Sequence, residues 1–181
     1  MKTQQPPRFR SISKRSIILN ILIGIGTNLP DVVGSPPLVI AKRAAWSLAR
    51  IPELRLIALS RWYRSAPIPP SGQPSYVNGV ALLSGMADAA EVLAALQAIE
   101  VEAGRVRGVV NAARTLDLDI IDFAGEVRRS PDLMLPHPRA HLRAFVLLPL
   151  AEVCPRWVHP VLQRSVSELI AALPPQEICA I

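Results

Sequence analysis

The order of the apolar patterns along this chain limits its possible folds more than any single motif does. Apolar runs and period-two alternation predict four strands, at residues 17–25, 54–63, 76–83 and 114–123. Helical spacing predicts two helices, within residues 37–51 and 88–104, and Asp88 with Glu91 forms a capping-box pattern at the start of the second. The order β-α-β-β-α-β is ferredoxin-like, so we predict an α+β fold with a mainly antiparallel sheet, helices packed on it, and C-terminal additions.

The length and the cysteines of the chain indicate one domain in a reducing compartment. A chain of 181 residues can form a single core, and we divide it into a disordered basic extension, residues 1–15, and one domain, residues 16–181. The basic start and the apolar run after it imitate a signal peptide, but Asn20 interrupts that run, which is far shorter than the roughly 20 residues of a membrane span. Because Cys154 and Cys179 show no zinc or disulfide spacing, we expect a cytoplasmic protein with no membrane partner.

Arginine carries most of the positive charge of the chain. There are 20 Lys and Arg against 14 Asp and Glu, for a net charge of +6, and reading the sequence shows only three lysines and therefore 17 arginines. Arginine binds phosphate with two hydrogen bonds at once, although the same excess can reflect genomic base composition. A ferredoxin-like RNA-binding module would also be basic, but the sequence lacks its aromatic-rich sheet segment, so no nucleic-acid partner is expected.

The segment RTLDLDIIDF, residues 114–123, places two carboxylates on one face of its predicted strand. Asp117 and Asp119 alternate with apolar residues, and residues two apart in a strand lie about 6.5–7 Å apart on the same side. At a carboxylate separation of about 5 Å, their repulsion is of order 3 kcal/mol unless water or a cation intervenes. Such a pair fits either a metal site or a solvated face that resists strand aggregation.

Basic residues surround this acid pair in the sequence. They are Arg105, Arg107, Arg114, His137, Arg139 and Arg143. Because Mg²⁺ binds one or two carboxylates together with phosphate oxygens, acids surrounded by cations indicate a polyphosphate substrate. The chain contains neither a P-loop nor a dinucleotide-binding glycine motif, so we expect side chains to hold the phosphates.

Two other kinds of site are disfavoured. His137 and His141 have the spacing of zinc ligands on a helix, but Pro138 interrupts that turn and no HExxH pattern surrounds them. Cys154 has no local histidine partner and is better explained as a small apolar residue than as a nucleophile.

Five stretches of the chain together resemble one enzyme family. They are GTNL, YRSAPIPPSGQPSYVNGV, IEVEAGRVR, RTLDLDIIDF and LPHPRAHLRAFVLLPLAEVCP. Their order and spacing resemble hydroxymethyldihydropterin pyrophosphokinase over nearly all of residues 17–160, and RTLDLDI together with PHPR and the following R-x-F is the most specific part. The resemblance implies transfer of the β,γ-diphosphate of ATP to the hydroxymethyl group of 6-hydroxymethyl-7,8-dihydropterin, which yields the pterin diphosphate and AMP in folate biosynthesis.

The resemblance also implies roles for residues of this chain. Asp117 and Asp119 resemble the catalytic pair that binds two Mg²⁺ ions, and Arg105 and Arg114 resemble the catalytic arginines. The other nucleotide-binding positions match Gln97, Glu100, Arg107, Ile120, His137, Arg139 and Arg143. The dihydropterin positions match Tyr76 and Phe145 as two rings that sandwich the pterin, Asn78 at its amide edge, and Ser65, Ala66 and Ile68 in the adjacent loop. Apart from the resemblance, both rings would be read as core aromatics.

The chain departs from the family pattern in two loops. The segment GVVNAA, residues 108–113, lacks the usual Trp and extra basic residues, and we expect it to be mobile when empty and to order when both substrates bind. Beside the pterin positions, Ala66 stands for a usual Pro and Pro69 for a usual Gly. Two alternatives therefore stay open: the chain acts on another hydroxymethyl pterin, or it has lost turnover. The identity of the general base also stays open, because Asp119 and metal activation of the hydroxyl are both candidates. For the oligomeric state, a monomer is favoured.

Overall fold

In the computed structural model, residues 19–104 and 114–181 are described, and they form one main sheet with helices packed on it. The strands in this part of the chain are β1 (Leu19–Thr27), β2 (Leu54–Leu59), β3 (Tyr63–Ser65), β4 (Tyr76–Gly85), β5 (Asp117–Phe123), β6 (Arg128–Arg129), β7 (Met134–Leu135) and β8 (Ile178–Ala180). The helices are α1 (Pro37–Leu48), α2 (Ala89–Glu102), a short 3-10 helix (Ala140–Leu142), α3 (Ala144–Val153) and α4 (Val166–Ala171). The predicted extension, residues 1–15, and the segment 105–113, which contains Arg105, Arg107 and GVVNAA, lie outside the described residues.

The main sheet is antiparallel in every described pairing. Its order is β5-β1-β4-β3-β8, and β2 also pairs with β4, so β2 and β3 occupy successive parts of the same edge of β4. β1 lies in the interior of the sheet, between β4 and β5. This order, with the last core strand beside the first, is ferredoxin-like and confirms the predicted fold class. A separate two-stranded sheet pairs β6 with β7.

The two faces of β1 are separated already in its sequence, ILIGIGT. Ile21, Ile23 and Ile25 are buried in a core that includes residues of α1 and α2. The alternate residues point to the other face, where Leu22 packs in a second core with residues of α3 and α4. Gly24 and Gly26 follow on that second face and carry no side chain, so one end of this face is packed and the other end is open.

Helix α2 begins as the capping pattern predicted. The Asp88 carboxylate accepts the N–H of Ala90 (2.8 Å), and the Glu91 carboxylate accepts the N–H of Asp88 (3.1 Å). Such a cap stabilises a helix by about 1 kcal/mol, and a left-handed glycine, Gly104 (φ +87°), follows the helix end. Within the described ranges, no helix combines the length and the apolar character needed to cross a membrane.

The segment 54–63, predicted as one strand, is two strands, β2 and β3. Between them the Ser60 hydroxyl accepts the N–H of Val80 on β4 (2.9 Å), so a side chain replaces a main-chain acceptor there. Trp62 then packs directly against β4 at Gly79, where an added Cβ would lie 2.7 Å from the Trp62 ring. Period-two alternation cannot report this interruption, because it depends on contacts with β4.

Candidate functional site

A cleft of about 280 Å³ opens on the face of the sheet that carries Gly24 and Gly26. In the register of the sheet, Gly24 lies opposite Asp119 of β5. Gly26 lies between Asp117 of β5 on one side and Asn78 of β4 on the other. Glycine leaves room for a close approach, so these two positions keep the floor of the cleft open between the flanking polar side chains.

Most of the residues predicted for the site line this cleft. From the predicted metal and nucleotide set, it is lined by Arg114, Asp117, Asp119, His137, Arg139 and Arg143. From the predicted dihydropterin set, it is lined by Ser65, Ala66, Ile68, Tyr76, Asn78 and Phe145. The two sets are interleaved and widely separated in the sequence, and the folded sheet with α3 brings them to a single cavity.

The acid pair lies on one side of β5, as the alternation predicted. Both of its members line the cleft. Asp117 pairs with Arg114, whose Nη1 is 2.5 Å from the carboxylate Oδ1. Burial works to lower the pKa of Arg114, but the surrounding carboxylates, above all that of Asp117, raise this pKa above its ordinary value. A permanently charged guanidinium therefore stands beside the acid pair and offsets part of the repulsion between its two carboxylates.

His137 is held beside the acid pair by main-chain contacts. Its N–H donates to the carbonyl of Ile121 on β5 (2.9 Å), and its ring Nδ1 accepts the N–H of Arg139 (3.1 Å). Burial, together with the charges of Arg143 and Arg139, lowers the pKa of His137 to about 4. Because Nδ1 accepts a hydrogen bond, the neutral ring carries its proton on Nε2, which is 3.8 Å from Oδ2 of Asp119. The imidazole is thus a neutral donor at the cleft.

Arg143 and Phe145 flank the first residue of α3 and form one wall of the cleft. The Arg143 guanidinium lies over the Phe145 ring, 5.3 Å from its centroid, in a cation–π contact. Burial and the charge of Arg139 lower the pKa of Arg143 from its ordinary value. An arginine's pKa is high enough that this side chain stays charged, so the wall combines a flat ring with a cation.

Residues of β3 and β4 form a second wall. The Tyr76 hydroxyl donates to Oε1 of Gln73 (2.8 Å), and the Asn78 amide donates to the Ser65 hydroxyl (3.0 Å). Burial raises the pKa of Tyr76, and the charge of Asp117 raises it further, so the phenol stays protonated at neutral pH. This wall therefore offers an aromatic ring and a buried amide, which suit a planar ligand with a hydrogen-bonding edge.

Three predicted nucleotide-binding residues do not line the cleft. Ile120 is buried in the core with residues of α1 and α2. Glu100 of α2 is also buried, and its carboxylate accepts the N–H of Leu118 on β5 (2.8 Å). Gln97 lies about one turn earlier on α2 and is half-buried. Their nucleotide contacts remain predictions, and Arg105 and Arg107 fall outside the described residues.

Sequence reasoning assigned no role to Asn28 or Gln73, which the structure places at the site. Asn28 is 2% exposed; its Oδ1 accepts the N–H of Arg114 (3.0 Å), and its Nδ2 donates to Oε1 of Gln73 (3.1 Å). These partners are 86 and 45 residues away, so the contacts could not be read locally, although both residues lie in stretches that carry the family resemblance, GTNL and YRSAPIPPSGQPSYVNGV. The open floor was also missed, although the alternation of Ile with Gly24 and Gly26 was a signal for it.

The donor set of the cleft fits magnesium better than zinc. Among the residues that the structure describes, no three His, Cys, Asp or Glu side chains cluster as a ready-made metal site. Zinc takes three or four protein ligands, whereas Mg²⁺ takes one or two carboxylates and completes its shell with phosphate oxygens and water. Asp117 and Asp119 supply two carboxylates beside a cationic wall, a donor set that would suit Mg²⁺ together with a phosphate-bearing ligand.

Comparison with known proteins assigns this chain to a family. Residues 22–155 match the family described as 7,8-dihydro-6-hydroxymethylpterin-pyrophosphokinase (HPPK). A curated Pseudomonas aeruginosa protein, 2-amino-4-hydroxy-6-hydroxymethyldihydropteridine pyrophosphokinase, is 41% identical over 158 residues, covering 87% of this chain and 94% of that protein. A protein of the same name from Haemophilus influenzae is 34% identical over 153 residues, covering 84% of this chain and 92% of that protein.

Solved structures share the fold of this chain. A Plasmodium falciparum HPPK-DHPS with pterin and p-hydroxybenzoate aligns with a TM-score of 0.65 at 13% identity, covering 88% of this chain and 44% of that one. An HPPK-DHPS in complex with substrates aligns with a TM-score of 0.63 at 13% identity, covering 85% of this chain and 43% of that one. This chain therefore spans less than half the length of those two proteins, and at such low identity the likeness shows the fold alone.

Proposed function

This chain belongs to the hydroxymethylpterin pyrophosphokinase family, and we propose that its reaction takes place in the cleft on the β1-β4-β5 face. That reaction transfers a diphosphate group from ATP to 6-hydroxymethyl-7,8-dihydropterin in folate biosynthesis. One observation carries the proposal. A single cavity holds two carboxylates beside fixed cations and, next to them, aromatic and amide groups suited to a flat heterocycle.

The phosphates of ATP bind, in this proposal, at the end of the cleft that holds the acid pair. The guanidinium groups of Arg114, Arg139 and Arg143 neutralise the phosphate oxygens. In the free protein the pKa of His137 is about 4, so the neutral ring offers an Nε2–H donor to a phosphate oxygen. A neutral donor can bind a phosphate oxygen without increasing the repulsion among the neighbouring cations.

Asp117 and Asp119 are the residues that would hold Mg²⁺, and we propose two ions, as the family resemblance implies. When bound, the metal ions screen the phosphate charge and orient the attacking hydroxyl for displacement at the β-phosphorus. Arg114 donates to Oδ1 of Asp117, so its guanidinium lies beside the place where the phosphates would bind. There its charge counters the negative charge that develops on the departing AMP.

The dihydropterin binds, in this proposal, between the wall of β3 and β4 and the wall at the start of α3. Tyr76 and Phe145 stack on the two faces of the ring system, and Asn78 pairs with its amide edge. The hydrogen bond from Tyr76 to Gln73 holds the phenol ring in place. This arrangement presents the hydroxymethyl group to the acid pair, since Gly26 leaves the floor open between Asn78 and Asp117.

Product analysis tests the proposed function directly. The purified protein, supplied with ATP, Mg²⁺ and 6-hydroxymethyl-7,8-dihydropterin, should form AMP and the pterin diphosphate, and it should form no AMP when the pterin is omitted. Chromatographic separation of the nucleotides gives the answer. ADP and free phosphate as the main products would contradict the reaction.

The role of the acid pair has its own test. Asp117→Asn and Asp119→Asn should each lower turnover by about 100-fold or more at saturating Mg²⁺, because the metals act on the transition state. Asp132→Asn, at an exposed position between β6 and β7, is the matched control and should be neutral. A near-normal rate for either cleft variant, with the fold intact by circular dichroism, would remove the metal role.

The finer features remain our proposals. Ala66 and Pro69 lie beside the pterin wall, so a panel of hydroxymethyl pterins is the measurement that decides which one is the best substrate. A cytoplasmic location is supported by the use of ATP and by two free cysteines, Cys154 and Cys179. The monomeric state is a prediction that sedimentation can check.

A further inference from the structure

The segment of residues 176–181 contacts two elements that line the cleft, although it lies far from the acid pair in sequence. Its strand, β8, pairs with β3, with Ile178 opposite Ser65. Just before that strand, the carbonyl of Glu177 accepts the N–H of Ala66 (3.1 Å). Ser65 in turn accepts the hydrogen bond from Asn78, so this segment supports the wall that is proposed to bind the amide edge of the pterin.

The same segment also supports the other wall, through one side chain. Oε1 of Gln176 accepts the N–H of Ala144, the first residue of α3 (2.9 Å), and its Nε2 donates to the carbonyl of Leu142 (3.0 Å). The N-cap residue of α3 is Arg143, whose side chain makes no capping hydrogen bond. Gln176 therefore serves as a remote cap for α3, because it satisfies one of the N–H groups that a helix start leaves open.

Gln176 thus holds the main chain next to Arg143 and Phe145, the two neighbours of Ala144, and both of these residues line the cleft. Arg143 lies between its two main-chain partners, and Phe145 follows directly after them. The next residue along, Glu177, is bonded to the loop of Ala66 on the opposite wall. Two adjacent residues of one segment consequently contact both of the walls that are proposed to enclose the pterin.

We propose that Gln176 is a positioning residue that sets the spacing of the two pterin-binding walls by fixing the start of α3 relative to β3. The inference rests on the proposed function of the cleft. Gln176 does not touch the substrate; it acts through Arg143 and Phe145. Loss of its side chain frees the first turn of α3 and changes the gap between the Phe145 ring and the β3–β4 wall.

Three variants separate positioning from general stability. Gln176→Ala removes both side-chain hydrogen bonds. Gln176→Glu keeps the acceptor for the N–H of Ala144, at a helix start where a negative charge is favourable, and loses the donor to Leu142. Glu177→Ala is the matched control, because the contact of Glu177 with Ala66 uses only its main-chain carbonyl and its side chain is exposed.

The main measurement is the equilibrium binding of 6-hydroxymethyl-7,8-dihydropterin by calorimetry, with Mg²⁺ and a non-hydrolysable ATP analogue present. The KM values for both substrates and the melting temperature are measured on the same variants. We expect Gln176→Ala to raise the Kd and KM for the pterin by about tenfold. Gln176→Glu should recover part of the loss, because it keeps the acceptor for Ala144 but sets an oxygen against the Leu142 carbonyl, and Glu177→Ala should bind as the wild type does.

Each outcome decides the proposal. Pterin binding by Gln176→Ala within about twofold of wild type, with or without a lower melting temperature, shows that Gln176 is structural only and overturns the inference. An equal loss in Glu177→Ala overturns it as well, because side-chain capping is then not the cause. A wild-type protein that binds no pterin removes the proposed function and this inference together, which distinguishes that failure from a failure of Gln176 alone.

Discussion

Asp122 is a buried carboxylate that the proposed reaction does not use. The register of β5 against β1 shifts at Ile121, and this bulge leaves Asp122 only 5% exposed. Its Oδ2 accepts the N–H of Gly125 (3.1 Å). Burial raises the pKa of Asp122, and the N–H of Gly125 and then the nearby indole of Trp157 offset part of this rise. Among the described residues, Oδ1 of Asp122 and Nε1 of Trp157 have no hydrogen-bond partner of good geometry.

We predict that Asp122→Asn stabilises the protein at neutral pH, by about 1 kcal/mol. The folded state binds the Asp122 proton more tightly than the unfolded chain, whose ordinary pKa is 3.8. The cost of the buried carboxylate is therefore absent below that value and grows as the pH rises through the folded pKa. Urea unfolding of both proteins should show a small difference near pH 4 and the full difference at about pH 7 to 8.

Asp132→Asn, at an exposed site, controls for the loss of one negative charge and should change stability little at either pH. An equal gain for Asp122→Asn at both pH values, or a loss of stability at neutral pH, would show that the carboxylate is not the destabilising form.

Strand β1 is adapted to its two faces by isoleucine on one and glycine on the other. A methyl group at Gly26 would lie 3.6 Å from the Asn78 amide oxygen and 3.9 Å from the carbonyl of Asp117, which are ordinary van der Waals distances. The fold therefore has room for alanine at this position. Because the fold does not require glycine here, the open space is better explained by the ligand.

We predict that Gly26→Ala keeps or slightly raises the free energy of unfolding, by up to about 1 kcal/mol, because alanine lowers the entropy of the unfolded chain. The same change should raise the KM for the dihydropterin, since the methyl group stands on the floor between Asn78 and Asp117. Urea unfolding and AMP-forming kinetics on the same preparation measure both effects. Unchanged kinetics in a stable variant would mean that no substrate crosses this part of the floor.

Across the whole molecule, Asn28 joins the two halves of the cleft. Its side chain accepts the N–H of Arg114, beside the acid pair, and donates to Gln73, which holds Tyr76 on the pterin side. A weaker contact, 3.4 Å to the carbonyl of Pro74, completes the set. The two groups of residues proposed to hold the substrates thus share one buried amide.

We predict that Asn28→Ala lowers the free energy of unfolding by about 2 kcal/mol, because it leaves the Arg114 N–H without its acceptor in a part-buried place. AMP formation should fall as well, since Arg114 and Tyr76 lose their common support. Asn20→Ala, on an exposed side chain of β1, is the control and should affect neither. Normal activity in Asn28→Ala would show that the two halves are positioned independently.

Much of the architecture was predictable because its signals are local. The capping box at Asp88 acts within one helical turn, and the alternation around Asp117 and Asp119 needs only the two-residue period of a strand. Both features are present as predicted. The interruption between β2 and β3 was not predictable, because Ser60 and Trp62 respond to Val80 and Gly79 on another strand.

Local sequence specified which residues share a face and where α1 and α2 begin, because periodicity and capping operate over a few residues. It also supplied the motifs that mark the acid pair and the cationic segment around His137. Only the tertiary structure decided that β2 and β3 share one edge of β4, that two glycines of β1 form the floor, and that Asn28 and Gln176 support the walls. The reason is physical: strand register and side-chain hydrogen bonds between distant segments depend on how the whole sheet and its helices pack, and no short pattern carries that information.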